Sequence, residues 1–186
     1  VYLKNLMQLE IVEKVFSVDT EGRDNTKKGI YKIRHPYVHF YYRYLFPNQT
    51  KIMFWETADF YDQYIAPTFK SFVADCYKQV CREFLEKENA MDRLPDKFVN
   101  LGQWVGKKGN IDFIFQNEDD EILAGICNWE KEIHVYEDYS LYMECQEQAK
   151  IKAEYTILFS AGNFDNRLRD EMKKNPQLAL VSLEQM

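Results

Sequence analysis

Apolar residues at the start of the chain recur at helical spacing (Tyr2, Leu3, Leu6, Met7), and after Glu10 the pattern tightens into a strand-like run over Ile11–Val18. A polar stretch rich in turn formers covers 19–28, and Gly29–Arg34 then alternates as a returning strand should. Pro36 suits the first turn of a helix; Tyr37, Phe40, Tyr41, Tyr44 and Leu45 follow on one face, and Pro47-Asn48 is expected to stop it. Asp59–Leu85 predicts two helical stretches broken near Pro67, the second carrying Phe69, Phe72, Val73, Cys76, Val80 and Leu85.

Beyond a charged loop over Glu86–Lys97, the periodicity changes again. Val99–Val105, Ile111–Phe115 and Glu121–Trp129 read as three strands of a meander, separated by Gly or acidic turns. A helix over Tyr139–Lys152, a strand over Tyr155–Ser160, a helix over Asn166–Lys174 and a short strand over Ala179–Leu183 complete the chain. This order predicts an α/β (α+β) domain with a mixed sheet and a crossover between its later strands. The opening helix and hairpin read as the back half of a winged helix. No internal repeat is expected.

Composition narrows the classes. The chain has 186 residues, 46% hydrophobic and 29% charged, with 7 Gly and 5 Pro, which suits a folded domain with a sizeable core. The net charge of −6 opposes a general nucleic-acid coat, so any such contact must come from a local patch. The hairpin supplies one: Arg23, Lys27, Lys28, Lys32 and Arg34 stand against the single acid Asp24 between Gly22 and Arg34. Such residues suit phosphate contacts that give affinity without sequence choice, or simply a solvated hairpin. No apolar run approaches the roughly 20 residues that a membrane helix needs. The four cysteines (Cys76, Cys81, Cys127, Cys145) form no C-x-x-C pair, as expected of reduced thiols in a cytoplasmic protein without structural zinc. Val1 falls inside a helical pattern with no targeting segment before it, so the chain is expected to begin partway through a larger protein.

Several segments in order then carry a family resemblance. They are Tyr31-Lys32-Ile33-Arg34-His35-Pro36, the run from Phe40 to Asn48, Cys81-Arg82-Glu83-Phe84-Leu85, Gly102-Gln103-Trp104, Ile111-Asp112-Phe113-Ile114, Gly125-Ile126-Cys127-Asn128-Trp129 and Ile157-Leu158-Phe159-Ser160. Together the chain resembles the C-terminal region of archaeal and bacterial AAA-type P-loop ATPases that end in a winged helix and a restriction-endonuclease-like domain of unknown function. The resemblance implies a partial winged helix over 1–34, a helical connector over 35–68 and a PD-(D/E)XK-type mixed sheet flanked by helices over 69–186. In that fold an Asp and a Glu on neighbouring strands hold a divalent metal, a Lys two residues after the Glu stabilises the phosphate, and many members add a helical Glu.

On this resemblance Asp112 keeps the Asp position, Ile126 stands for the Glu, Asn128 for the Lys and Lys78 for the helical Glu. One carboxylate is too little for Mg²⁺. Glu130 shares the strand face of Ile126 but lies ~13 Å along it, Glu121 has the opposite parity, and Glu144 reads as an exposed helical residue. The resemblance therefore implies a non-enzymatic module without metal, acting on DNA or on other proteins, itself included; ATP and Mg²⁺ belong only to an upstream ATPase domain. The alternatives are a nuclease with a relocated site using Glu130 or Glu144, and an oligomerisation scaffold.

Other motifs add little. His35 and His39 share metal-ligand spacing but lack a third ligand, and Pro36 makes His35 a cap. His134 is expected to be exposed. Gly102 to Lys108 fails as a phosphate loop, since three residues separate its glycines and no Ser or Thr follows Lys107; a turn is expected there instead. The aromatic face from Tyr37 to Leu45 reads as a buried helix face or, alternatively, a binding platform.

Overall fold

A computed structural model describes residues 2–15 and 30–186, which form two units, 2–15 with 30–76 and 77–186. In the first, α1 (Tyr2–Gln8) precedes an antiparallel hairpin of β1 (Val12–Val15) and β2 (Ile30–Ile33), with Val12 opposite Ile33. A chain of short helices follows: α2 (Pro36–Phe40), α3 (Gln49–Phe54), α4 (Thr57–Phe60) and the start of α5 (Ala66–Ala90). Their core is Tyr44, Phe60, Ile65 and Phe72.

Pro47-Asn48 interrupts its helix as expected, with Asn48 at φ −119° and ψ 19° before α3 starts, whereas no break occurs at Pro67. Tyr41–Leu45 and Tyr61–Ile65 are π-helical, and the N–H groups of Phe46 and Ala66 donate to carbonyls five residues back, those of Tyr41 and Tyr61. Proline lacks a donor and its ring clashes with the carbonyl four residues back in an α-helix. A wide turn placed just before Pro47 and Pro67 displaces that carbonyl, so a 3₁₀ turn leads on into α3 in one case and α5 continues in the other. Both turns carry the same spelling, Phe-Tyr-x-x-Tyr-(Leu/Ile)-x-Pro, at Phe40–Pro47 and Phe60–Pro67. This short repeat corrects the expectation that none exists.

The second unit is a five-stranded mixed sheet flanked by helices, in the order β3 (Phe98–Val105), β4 (Asn110–Asn117), β5 (Ile122–Asn128), β7 (Tyr155–Ser160), β9 (Leu178–Ser182). The β3–β4–β5 meander is antiparallel, while β5, β7 and β9 are parallel and joined through α6 (Tyr136–Ala149) and α7 (Asn166–Lys174). Tyr77, Cys81 and Leu85, spaced four apart on α5, pack with Phe113, Phe115 and Phe159 on one face. Tyr139, Tyr142, Cys145 and Leu168 pack with Ile111, Ile114 and Leu158 on the other. Gly125 is required at the β5–β7 contact, where a Cβ would stand 1.9 Å from the Ile157 carbonyl oxygen.

Helix α6 starts and ends three residues before its expected bounds. Its start is fixed by Asp165 Oδ2, which accepts the Tyr136 N–H at 3.0 Å, and its end by Lys150, left-handed at φ 58°. Two strands of two residues, β6 (Ile133–His134) and β8 (Asn163–Phe164), form a separate parallel ladder that the sequence pattern does not reveal. That ladder overturns the expected exposure of His134, which is fully buried with its ring stacked on Phe164 at 5.8 Å. Among the described residues no helix is long and apolar enough to cross a membrane.

Candidate functional site

The site is built on an irregularity of β4. Gly102 pairs with Ile114 and Trp104 with Ile111, so two steps along β3 match three along β4 and an extra residue is accommodated beside Asp112. Such a bulge breaks strict alternation and re-aims side chains. The β4–β5 ladder runs from Gln116↔Ile122 to Phe113↔Gly125. Beyond it, Asp112 Oδ2 accepts the Cys127 backbone N–H at 3.1 Å, and Lys78 Nζ from α5 donates to Asp112 Oδ1 at 2.7 Å. The Asp112 side chain is only 11% exposed, so this charge-assisted pair is well shielded. The Cys127 thiol also points at Oδ2, at 3.8 Å. Its hydrogen bond with Cys81, then burial, then the Asp112 charge push that thiol far above the ordinary range, so it is a neutral packing group.

The two other positions of interest diverge. Ile126 packs against the α6 side of the core. Asn128 uses its amide twice: Nδ2 donates to Asp138 Oδ2 at 3.3 Å and Oδ1 accepts the Lys131 N–H at 3.1 Å. Asp138, in the first turn of α6, also receives Lys131 Nζ at 2.7 Å on Oδ1. Lys78, Asp112, Ile126, Asn128 and Asp138 line a cleft of about 210 Å³ at the carboxyl end of β5, walled by Leu141 and Tyr142. It holds two carboxylates, each matched by a lysine, and is locally neutral. Ligands favour this end of a parallel sheet.

The other predicted residues lie elsewhere. Glu130 is exposed, and Glu144 is exposed and pairs with Lys108 at 3.5 Å. Glu121 accepts from the Asn117 amide. His35 is an exposed N-cap residue that makes no side-chain cap bond, and His39 rests edge-on against Phe72 at 5.3 Å. The Gly106 N–H donates to the Gly109 carbonyl at 3.0 Å, forming the turn expected around Lys107 and Lys108. Of the basic hairpin, Arg23, Lys27 and Lys28 lie outside the described residues; Lys32 is exposed and Arg34 pairs with Glu10 at 3.6 Å. No group of three His, Cys, Asp or Glu among the described residues could hold a metal ion.

Sequence reasoning missed Asp138 and His134. Their signal was the i, i+4 spacing of a histidine and an acid at a helix start. What hid it was the assumption that the charged segment between Glu130 and Asp138 is an exposed turn. His134 Nε2 lies 3.8 Å from Asp138 Oδ2, and burial, the largest influence, lowers the pKa of the imidazole so that it is neutral at pH 7.

Over residues 41–152, more than half of the chain, the sequence matches DUF234, described as archaea bacterial proteins of unknown function. The chain belongs to this family. The DUF234 match takes in both π turns and Lys78, Asp112, Ile126, Asn128 and Asp138. A relative of the chain, an uncharacterized protein of Methanocaldococcus jannaschii, is 33% identical over 120 residues, which make up 64% of this chain and 26% of the relative. This chain thus spans about a quarter of that relative's length. No solved structure matches.

Proposed function

We propose that this DUF234 chain is the non-enzymatic C-terminal module of an AAA-type ATPase, its second unit a degenerate PD-(D/E)XK-type domain that serves in macromolecular interaction. The observation that carries the reading is the Lys78–Asp112 pair. A lysine ammonium occupies the carboxylate that a divalent ion would need, and Ile126 offers no second ligand. The second pair, Lys131–Asp138, neutralises the remaining carboxylate of the cleft in the same way. A metal would have to displace both ammonium groups to bind.

The first unit is read as the end of a winged helix, and its hairpin as the DNA-contacting element. Charge separates the roles of the two units. Residues 77–186 carry 14 basic against 21 acidic side chains, so a duplex is repelled there and any phosphate contact belongs to the hairpin. Plasmid incubated with the chain and Mg²⁺ or Mn²⁺ is expected to stay intact, whereas nicking abolished by Asp112→Ala would overturn the reading. DNA affinity, measured by fluorescence across salt concentrations, is expected to fall with salt and after Lys27→Glu/Lys28→Glu.

A second reading, assembly through the first unit, is favoured by its exposed aromatics. Tyr42, Phe46 and Phe54 are more than half exposed, and Tyr41, Tyr42 and Phe46 form one ring cluster. Light scattering that shows a concentration-dependent oligomer, lost in Phe46→Ser/Phe54→Ser, would support it.

A further inference from the structure

The buried imidazole of His134 has more acceptors around it than its neutral form can serve. Neither ring nitrogen makes a hydrogen bond of good geometry, yet Asp138 Oδ2 stands 3.8 Å from Nε2 and the Phe159 carbonyl of β7 lies close enough to favour the imidazolium. A neutral imidazole donates from one nitrogen and turns a lone pair outward from the other; an imidazolium donates from both. The same carboxylate oxygen, Asp138 Oδ2, is meanwhile taken by Asn128 Nδ2 at 3.3 Å, the longer of the two contacts that Asp138 makes on the cleft side. A carboxylate oxygen can accept from two donors, so release of Asn128 would follow from movement of Oδ2 towards the imidazole, which lengthens a contact already at 3.3 Å.

We propose that His134 and Asp138 form an acid-sensitive latch, in which protonation of the imidazole draws Asp138 Oδ2 away from Asn128 and frees the Asn128 amide into the cleft. Closing the gap from 3.8 Å to a charge-assisted bond takes a movement of about 1 Å. Lys131 Nζ, on Oδ1, keeps its partner throughout. The charged groups that face His134 are Asp138 from α6, Lys131 from the preceding turn and Asp165 from the start of α7. The two acids favour the imidazolium; Lys131 and, above all, burial oppose it, so the latch closes at neutral pH and opens only on acidification.

The position matters because His134 is the hub of this end of the unit. Its carbonyl accepts the Asp165 N–H at 3.1 Å, and Asp165 in turn caps α7 and receives the first N–H of α6. A change at the imidazole is therefore transmitted to the cleft wall through Asp138 while the backbone around it stays fixed. The latch is independent of any kinship with nucleases.

The test is nuclear magnetic resonance of the full chain between pH 7.5 and 4.5, following the His134 ring and the Asn128 side-chain amide. Both signals are expected to shift together, with one midpoint below 6.5. In His134→Phe, which keeps a ring against Phe164, the Asn128 shift in that window should vanish; in Asp138→Asn the His134 midpoint should fall further and Asn128 should no longer follow it. An Asn128 amide that stays still while His134 titrates overturns the proposal. So does an unchanged Asn128 titration in His134→Phe, or loss of the fold before His134 takes up its proton.

Discussion

Lys78 Nζ stands 2.7 Å from Asp112 Oδ1, with the opposite oxygen of the same carboxylate holding the Cys127 N–H. The Asp112 charge is thus served from helix α5 and from the backbone of β5 at once. Removing either partner has unequal consequences: without Lys78 a largely buried carboxylate loses its counter-charge, whereas the lysine is 40% exposed and better solvated. Lys78→Met is expected to destabilise by roughly 1–3 kcal/mol. Lys78→Arg should recover most of that loss, and urea unfolding curves measure both.

The parallel half of the sheet depends on one backbone approach. In Gly125→Ala the new Cβ would meet the Ile157 carbonyl 1.9 Å away, so β5 and β7 must separate where both are buried. A loss of about 3 kcal/mol or more is expected. The urea midpoint and the soluble yield should both drop, and an unchanged midpoint would contradict the close β5–β7 packing.

Asp165 ties two helices together. Its Oδ1 accepts the Leu168 N–H at 2.7 Å and its Oδ2 the Tyr136 N–H at 3.0 Å, so Asp165→Ala strands a donor at the start of α7 and another at the start of α6. The expected cost is about 2 kcal/mol, near the top of the range for a single cap. Hydrogen exchange should localise the loosening to the first turns of both helices.

Stability should also depend on pH through His134. Burial lowers its folded pKa, so the unfolded chain binds the proton first as pH falls. The sign follows: stability is full above the unfolded value of about 6.5 and declines as pH drops through and below it. His39 is lowered as well, chiefly by burial, and acts in the same direction. Thermal melts of His134→Phe between pH 7.5 and 5 should therefore show a shallower decline than wild type, with the His39 part remaining.

Short apolar runs and helical spacing made the succession of strands and helices legible: β7 is buried without a break from Thr156 to Ser160, and α5 buries Tyr77, Cys81 and Leu85 at period four. Local chemistry was harder to read. Both prolines suggest a break, since proline usually ends a helix; Pro47-Asn48 gives one, while at Pro67 a π turn just before it absorbs the clash and α5 runs on. Asp112 and Lys78 could be singled out only through the resemblance; their ion pair needs the fold, and the bulge that aims Asp112 is set by the β3 register and leaves no mark on its own segment. His134 and Asp138 were overlooked because the two-residue ladder that buries the histidine is too short to leave a periodic signal.

In the proposed reading, the Lys78–Asp112 and Lys131–Asp138 pairs keep metal out of the cleft. Calorimetric titration of Mn²⁺ into the wild-type chain and into Lys78→Glu/Ile126→Glu tests it most directly, with circular dichroism to show that both are folded. No binding heat is expected from the wild type at millimolar metal, and a saturable signal from the variant that Asp112→Ala abolishes. Saturable binding by the wild type that disappears in Asp112→Ala would contradict that reading.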